Sequence, residues 1–176
     1  MAALATSADK QFTIRQGTKA DCAIVLDFIQ QLADYEKEPD AVKATVQTLE
    51  ENVFNKGYAE VLIAEQHDSD SSSAPVAVGM ALYFFSFSTW TSKPSLYLED
   101  LYVIPTLRNK GVGKLLFKAL GQVAQQRDCA RLDWSVLTWN APSIAFYTQV
   151  LGAKPMDEWK GMRLEQQGIE NLAKLA

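Results

Sequence analysis

The sequence predicts an α/β fold, a mixed central sheet flanked by helices. Three observations carry this reading. The elements run strand, two helices, three strands, helix, strand, helix, strand, an order that lets each helix bury its apolar face on a sheet. Of the 176 residues, 48% are hydrophobic and 22% charged, the balance of a globular chain with a sizeable core. No internal repeat or long linker divides the sequence. Residues 12–176 therefore read as a single domain behind a short loose tail, residues 1–11.

Phe12 to Arg15 alternates apolar and polar side chains and reads as the first strand. Thr18 and Asp21, a hydroxyl three residues before a carboxylate, open a helix. It runs to about Tyr35 with Ile24, Val25, Phe28, Ile29 and Leu32 on one face, and Lys37-Glu38-Pro39-Asp40 ends it. A second helix covers roughly Thr45 to Phe54. Ala59 to Glu65 is a strand, and His67 to Pro75 a flexible connection. Val76 to Phe85 is a longer strand, antiparallel to the previous one, with Gly79 as a bulge position. Leu96 to Val103 follows as a third central strand. Its Glu99 and Asp100 occupy adjacent positions and so are expected on opposite faces. Gly111 to about Arg127 is a helix, with Val112, Leu115, Leu116, Ala119, Leu120 and Val123 at helical spacing. Arg131 to Leu137 is a strand. Asn140 caps the next helix, with Pro142 in its first turn, and that helix ends near Leu151-Gly152. Met162 to Glu165 reads as a final strand and Ile169 to Leu175 as a final helical turn or two.

Composition narrows the function classes. A net charge of -4 and a pI of about 5.0 disfavour nucleic acid as a partner, since that binding needs a basic face. Cys22 and Cys129 lack metal-ligand spacing and read as reduced thiols of a cytoplasmic protein, with no metal expected. His67 lies beside a run of Asp and Ser and reads as a solvated loop residue, so a histidine base is not expected. No apolar run reaches membrane-spanning length, and residues 1–11 lack the apolar core of a secretory signal.

The most informative stretch is Arg108-Asn109-Lys110-Gly111-Val112-Gly113-Lys114, between a strand and an amphipathic helix. Backbone N–H groups at a helix start have no intrahelical partner and lie at the positive end of the dipole. Gly111 and Gly113 lack a Cβ, so a pyrophosphate can approach the main chain. Taken alone, such a turn fits many nucleotide sites and many plain loops. It has neither the ending of a P-loop nor the spacing of a dinucleotide fingerprint.

A second segment raises the specificity: Trp139-Asn140-Ala141-Pro142-Ser143-Ile144-Ala145-Phe146-Tyr147, followed by Leu151-Gly152. Together the two segments resemble the GNAT superfamily of acetyl-CoA-dependent N-acetyltransferases. Leu32 to Lys37, Trp90 and Tyr97-Leu98-Glu99-Asp100 bring the likeness to the diamine (spermidine/spermine) acetyltransferase family. The Tyr-Glu-Lys run at Tyr35 resembles its thialysine N-ε-acetyltransferase branch. The likeness spans about Phe12 to Leu164. Asn109 departs from it, because family members often carry glycine directly after the arginine.

The resemblance implies the GNAT fold, acetyl-CoA as co-substrate, a small amine as acceptor and a homodimer. It implies that Leu101, Tyr102 and Val103 offer backbone groups to the pantetheine arm. Asn109, Lys110, Gly111, Val112, Gly113 and Lys114 would wrap the pyrophosphate, and Arg108 would add charge. Asn140, Ala141, Pro142 and Ser143 would contact the coenzyme beyond it; Asn140 could equally serve only as a helix cap. Tyr147 would be the general acid that protonates the departing thiolate, its alternative being a packed aromatic. Glu99 would hold the amine or remove its proton through water, with a plain salt bridge as the alternative. Tyr35, Glu36 and Trp90 would line the amine pocket, or form an exposed helix end and a packed loop. Asp133, Trp134 and Ser135 would lie beside it, Trp134 being equally a core candidate. Three rival functions stay open: acetylation of a protein lysine or N-terminus, a non-catalytic acetyl-CoA-binding module, and a partner protein using the Trp90 to Pro94 loop.

Overall fold

The computed structural model describes residues 3–68 and 73–175. Its contacts divide into two compact units, residues 1–135 and 136–176. The first holds a six-stranded sheet in sequence order: β1 (Ala5–Thr6), β2 (Phe12–Gln16), β3 (Glu60–Gln66), β4 (Val76–Ser88), β5 (Lys93–Val103) and β6 (Arg131–Trp134). Every pair is antiparallel except β5–β6, which is parallel and closed by a helical crossover, as parallel pairing requires. The mixed sheet flanked by helices is therefore as the sequence predicts.

Helix α1 (Cys22–Glu36) buries Cys22, Val25 and Phe28 on one face of the sheet. It stops where Lys37 turns left-handed at φ 67°, two residues before Pro39. Helix α2 (Val46–Leu49) continues as a π-helical segment, Glu50–Asn55, over the same face. Helix α3 (Val112–Gln126) covers the opposite face with Val112, Leu115, Leu116, Ala119, Leu120 and Val123 buried, the same stripe the periodicity marks. Each of the valines and leucines contributes roughly 1.5–3 kcal/mol by leaving water. Among the described residues, no helix is long and apolar enough to cross a membrane.

Three expectations need correction. The loose tail supplies β1, where Ala5 is buried and pairs with Ile14; two residues are too few for alternation to be visible. Met162 to Glu165 forms no strand but the approach to α5 (Gln166–Leu172), and one short apolar pair does not make a ladder. His67 is half-buried and meets the Thr13 hydroxyl at 2.7 Å instead of lying free in solvent. Of the expected 67–75 connection, Ser69 to Ser72 lie outside the described residues.

Near the first turn, Arg15 forms a two-pronged contact with Asp21 at 2.8 Å and donates from Nε to Glu65 at 2.7 Å. The Thr18 N–H and hydroxyl also donate to Asp21, the capping pair the sequence announces. These bonds pull the Asp21 carboxyl down from 3.8 to about 2, the Arg15 contact contributing most. A carboxyl lowered on folding stabilises at neutral pH and loses that contribution as pH falls from about 4 through about 2. Denaturant titrations from pH 7 to 2 are expected to show about 2 kcal/mol of acid-labile stability that Asp21→Asn lacks. Equal slopes in both proteins would remove the role.

Candidate active site

Strand β5 organises the site. Leu82 pairs with Asp100 but Tyr83 pairs with Leu98, so Glu99 is an extra residue in the ladder, a β-bulge. Leu96 and Leu98 belong to the α3-side core, and Leu101 and Val103 pack against that same core. Tyr102 belongs to the α1-side core. The alternation is therefore shifted by one residue at Glu99. Leu98 faces α3, so Glu99 faces the α1 side, and Asp100 shares that side with its partner Leu82 and with Tyr102. The two acids lie on one face, against the opposite-face expectation. The 96, 98, 101, 103 spacing of apolar residues is the signal that carries this in the sequence.

The bulge gathers acid. Burial raises the Asp100 carboxyl from 3.8 to about 6, with Glu99 and Glu36 adding repulsion. Burial also raises Glu36, at the end of α1. Among the described residues, none of these three carboxylates forms an ion pair with a Lys or Arg. Buried acid without a cation is costly, and a ligand cation would relieve it.

Arg108 packs on two tyrosines. Its guanidinium sits 5.0 Å from the Tyr35 ring centre and 5.9 Å from that of Tyr102, and its Nε donates to the Val103 carbonyl at 3.0 Å. The Tyr102 hydroxyl donates to Gln31 at 2.5 Å. Arg108 therefore joins the phosphate turn to the Tyr35 end of α1.

The remaining expected amine residues separate. On the Glu99 side, Tyr97 stacks on Phe84 at 5.1 Å and shares a 2.8 Å hydrogen bond with Ser135. Asp133 pairs with Tyr97 in the β5–β6 register and is exposed. Trp134 packs edge-on against Phe117 at 5.2 Å, joining the core side of α3. Of its two roles, core packing is the one seen. Trp90 stands at the tip of the β4–β5 hairpin, 80% exposed, with Arg131 5.7 Å from its ring centre. The strand from Lys93 to Glu99 is roughly 20 Å long at the rise of a β-strand, so the fold does not bring Trp90 of the same chain to the acids.

For the coenzyme arm, the β5–β6 ladder stops at Leu98–Trp134, leaving residues 99–103 beyond it. The Ile104 N–H donates to Val78, so by strand alternation Tyr102 also turns its backbone toward β4. Leu101 and Val103 turn theirs away from it. Of the expected trio, those two present backbone groups to the open side. Gly79 is required here, since a Cβ would lie 2.5 Å from the Tyr102 carbonyl. The bulge residue itself is Val78, next to the expected Gly79: Ala64 pairs with Gly79 while Glu65 pairs with Ala77.

Gly111 caps α3 at φ 89°, with open space where a Cβ would stand. Asn109 is left-handed too, at φ 63°. Asn tolerates that region better than most residues, so the departure from glycine keeps the turn. The N–H groups of Val112, Gly113 and Lys114 then lead out of the helix start, a fit for a pyrophosphate.

In the second unit, Asn140 caps α4 (Ala141–Ala145) by accepting from the Ser143 N–H at 3.4 Å, and Pro142 lies in the first turn. The helix then widens into a π-turn, Phe146–Val150, that carries Tyr147, whose ring lies 5.6 Å from that of Phe146. The sequence shows the helix but not its widening.

A model of the acetyltransferase (GNAT) family matches residues 28–153. The chain belongs to the GNAT acetyltransferase family. It is 35% identical to a thialysine N-ε-acetyltransferase of Bos taurus over 165 residues, 91% of this chain and 96% of that protein. It is 34% identical to a human spermidine/spermine N(1)-acetyltransferase-like protein, covering 94% of this chain but 24% of that one. An integron cassette protein from the V. cholerae mobile metagenome superposes with a TM-score of 0.74 at 28% identity, covering 94% of this chain and 99% of that one. A possible acetyltransferase from Clostridium difficile 630 shares the fold, with a TM-score of 0.67, 19% identity, and coverage of 88% and 97%. As a GNAT member, this chain is an acetyl-CoA-dependent N-acetyltransferase. In GNAT terms, the helix-start turn and the outward groups of Leu101 and Val103 suit the two polar stretches of coenzyme A, its pyrophosphate and its pantetheine amides.

Proposed function

We propose that this enzyme transfers acetyl from acetyl-CoA to the primary amine of a small polyamine, diamine or lysine-like compound such as thialysine. One observation carries the reading: Glu36 and Glu99 repel Asp100 at the bulge, and among the described residues none of the three forms an ion pair with a Lys or Arg. Such a pocket selects a small molecule with more than one positive charge. The similarity to thialysine and spermidine/spermine-type acetyltransferases supports the same substrate class.

In the proposed reaction the amine attacks the thioester directly in a ternary complex. The ammonium first loses a proton through a water beside Glu99; a neighbouring carboxylate binds the cation but also holds its proton, so binding is the larger part of the Glu99 role. The neutral amine attacks, a C–N bond forms and the C–S bond breaks; Tyr147 protonates the leaving coenzyme A thiolate, and the second proton lost by the nitrogen restores the Tyr147 phenol. No covalent enzyme intermediate is needed. Residues 12–176 act as one catalytic domain in this reading, in a homodimer, as the resemblance implies, and in the cytoplasm, as two isolated reduced cysteines lead one to expect.

Free-thiol release should separate the substrate classes. The panel is spermidine, spermine, putrescine, thialysine, lysine and a histone-tail peptide. Turnover of a small multiply charged amine with none on the peptide is the expected result. Turnover of the peptide alone would replace this reading by a protein acetyltransferase.

A further inference from the structure

We propose that Arg108 is a positioning residue for the acceptor amine: its guanidinium braces the last turn of α1 against β5 and so fixes where Glu36 stands relative to Asp100. The role rests on the small-amine reading above. The backbone aims Arg108 at α1. Leu107 sinks into the core on the α3 side. Arg108 follows it in an extended conformation, φ -64° and ψ 152°, which sends the next side chain the opposite way. Its Nε donates to the Val103 carbonyl at 3.0 Å. Its guanidinium carbon lies 5.9 Å from the Tyr102 ring centre and 5.0 Å from that of Tyr35.

The two rings are held differently. Tyr102 is buried, its ring centre lies 5.3 Å from that of Phe28, and its hydroxyl donates to Gln31. The Gln31 amide nitrogen donates to Asp27 at 2.6 Å, so both ends of that side chain are engaged and Tyr102 is pinned to the middle of α1. Tyr35 is exposed on the last turn of the helix. Arg108 therefore joins a fixed ring of β5 to a ring at a helix end.

Two repulsions act on that end. The last turn of α1 carries Asp34 and Glu36 and no basic residue, and the exposed Lys37 lies just beyond it. Negative charge thus stands at the negative end of the helix dipole, where helices already fray. Glu36 also repels Asp100 on β5. Among the described residues, neither Glu36 nor Arg108 forms an ion pair. A guanidinium on the Tyr35 ring, tied to β5 through Val103 and Tyr102, opposes both repulsions and keeps the turn closed. The contact depends on the planar group, since a lysine keeps the charge but cannot stack on two rings while bonding a carbonyl. Lysine still serves a phosphate as a point charge, so exchanging the two separates bracing from phosphate binding.

The test compares the full chain with Arg108→Lys, Tyr35→Leu, Tyr35→Phe and the double variant Arg108→Lys/Tyr35→Leu. Both positions are exposed, so the variants should fold. Free-thiol release with spermidine, or with thialysine if that is the better acceptor, gives KM and kcat. Calorimetry gives the Kd for acetyl-CoA, and hydrogen exchange reads the amides of residues 33–36. In Arg108→Lys and Tyr35→Leu the amine KM should rise about fivefold, with no further rise in the double variant, while kcat and the Kd for acetyl-CoA stay close to wild type. Exchange at residues 33–36 should quicken in the same three variants, and Tyr35→Phe, which keeps the ring, should match the wild type in every readout. An unchanged amine KM, a raised KM without faster exchange, a double variant that multiplies the two single effects, or an Arg108→Lys loss confined to acetyl-CoA affinity each overturns the proposal. If the wild type acetylates no small amine, the amine reading itself fails and this role falls with it.

Discussion

Replacing Tyr147 by Phe is expected to lower kcat by about 10²-fold or more, with the Kd for acetyl-CoA nearly unchanged. The thiolate expelled from the thioester has a conjugate acid with a pKa of about 8.5, and a phenol near 10 can protonate it within hydrogen-bond reach. The phenylalanine keeps the ring that packs beside Phe146 and removes the hydroxyl that carries the proton. A loss confined to kcat would therefore mark transition-state chemistry, whereas a fall in coenzyme affinity would mark a contact made in the ground state. Free-thiol release under saturating substrates and calorimetry with acetyl-CoA give the two numbers. An unchanged kcat would take Tyr147 out of the acid role. The π-turn that carries Tyr147 belongs to a class of helix irregularity that recurs at functional positions.

Asp100→Asn is expected to make the protein more stable and the enzyme worse. The Asp100 carboxyl is raised from 3.8 to about 6 by burial and by its acidic neighbours. A carboxyl raised on folding binds its proton more tightly in the native state, so stability falls as pH climbs from about 4 to about 6 and stays lowered above that. The cost at neutral pH is about 3 kcal/mol, and the amide removes it. Thermal melts should show Asp100→Asn several degrees higher at pH 7 and level with the wild type near pH 3. Activity should move the other way. In the wild type, kcat/KM for a diamine should climb through about pH 6 as Asp100 ionises, and in the variant that step should vanish while a singly charged amine loses much less. Equal losses for both amines would assign Asp100 to the scaffold and not to charge recognition. Such a trade between stability and activity is what an acidic pocket awaiting a cation predicts.

Much of this was legible in the residues. The glycine turn before α3, the Thr18–Asp21 cap and the Asn140 cap depend on local chemistry, and each stands where the chain announces it. The α3 stripe was equally plain, because about four turns of one period leave little ambiguity. What escaped depended on pairing. Strict alternation places Glu99 and Asp100 back to back; the pairing with β4 shows the extra residue between Leu98 and Asp100, of which the 96, 98, 101, 103 spacing of apolar residues is the sequence trace. Arg108 read as a phosphate ligand, yet in the fold it packs on two tyrosines that lie far from it in sequence. Trp90 looked like a pocket wall in a linear alignment of motifs, but hairpin length carries it away.

Glu99 also fixes how this protein can change over time. It is the one residue of β5 without its own partner across the ladder. Its deletion would leave Leu98–Tyr83 and Asp100–Leu82 as consecutive pairs of a regular ladder, with Leu96, Leu98, Leu101 and Val103 still on the α3 side. Such a deletion removes a carboxylate and a local bend while the interior keeps its side chains. Residue 99 is therefore a place where the strand can change in length as well as in side chain, and new acceptor preferences can be sought by either route.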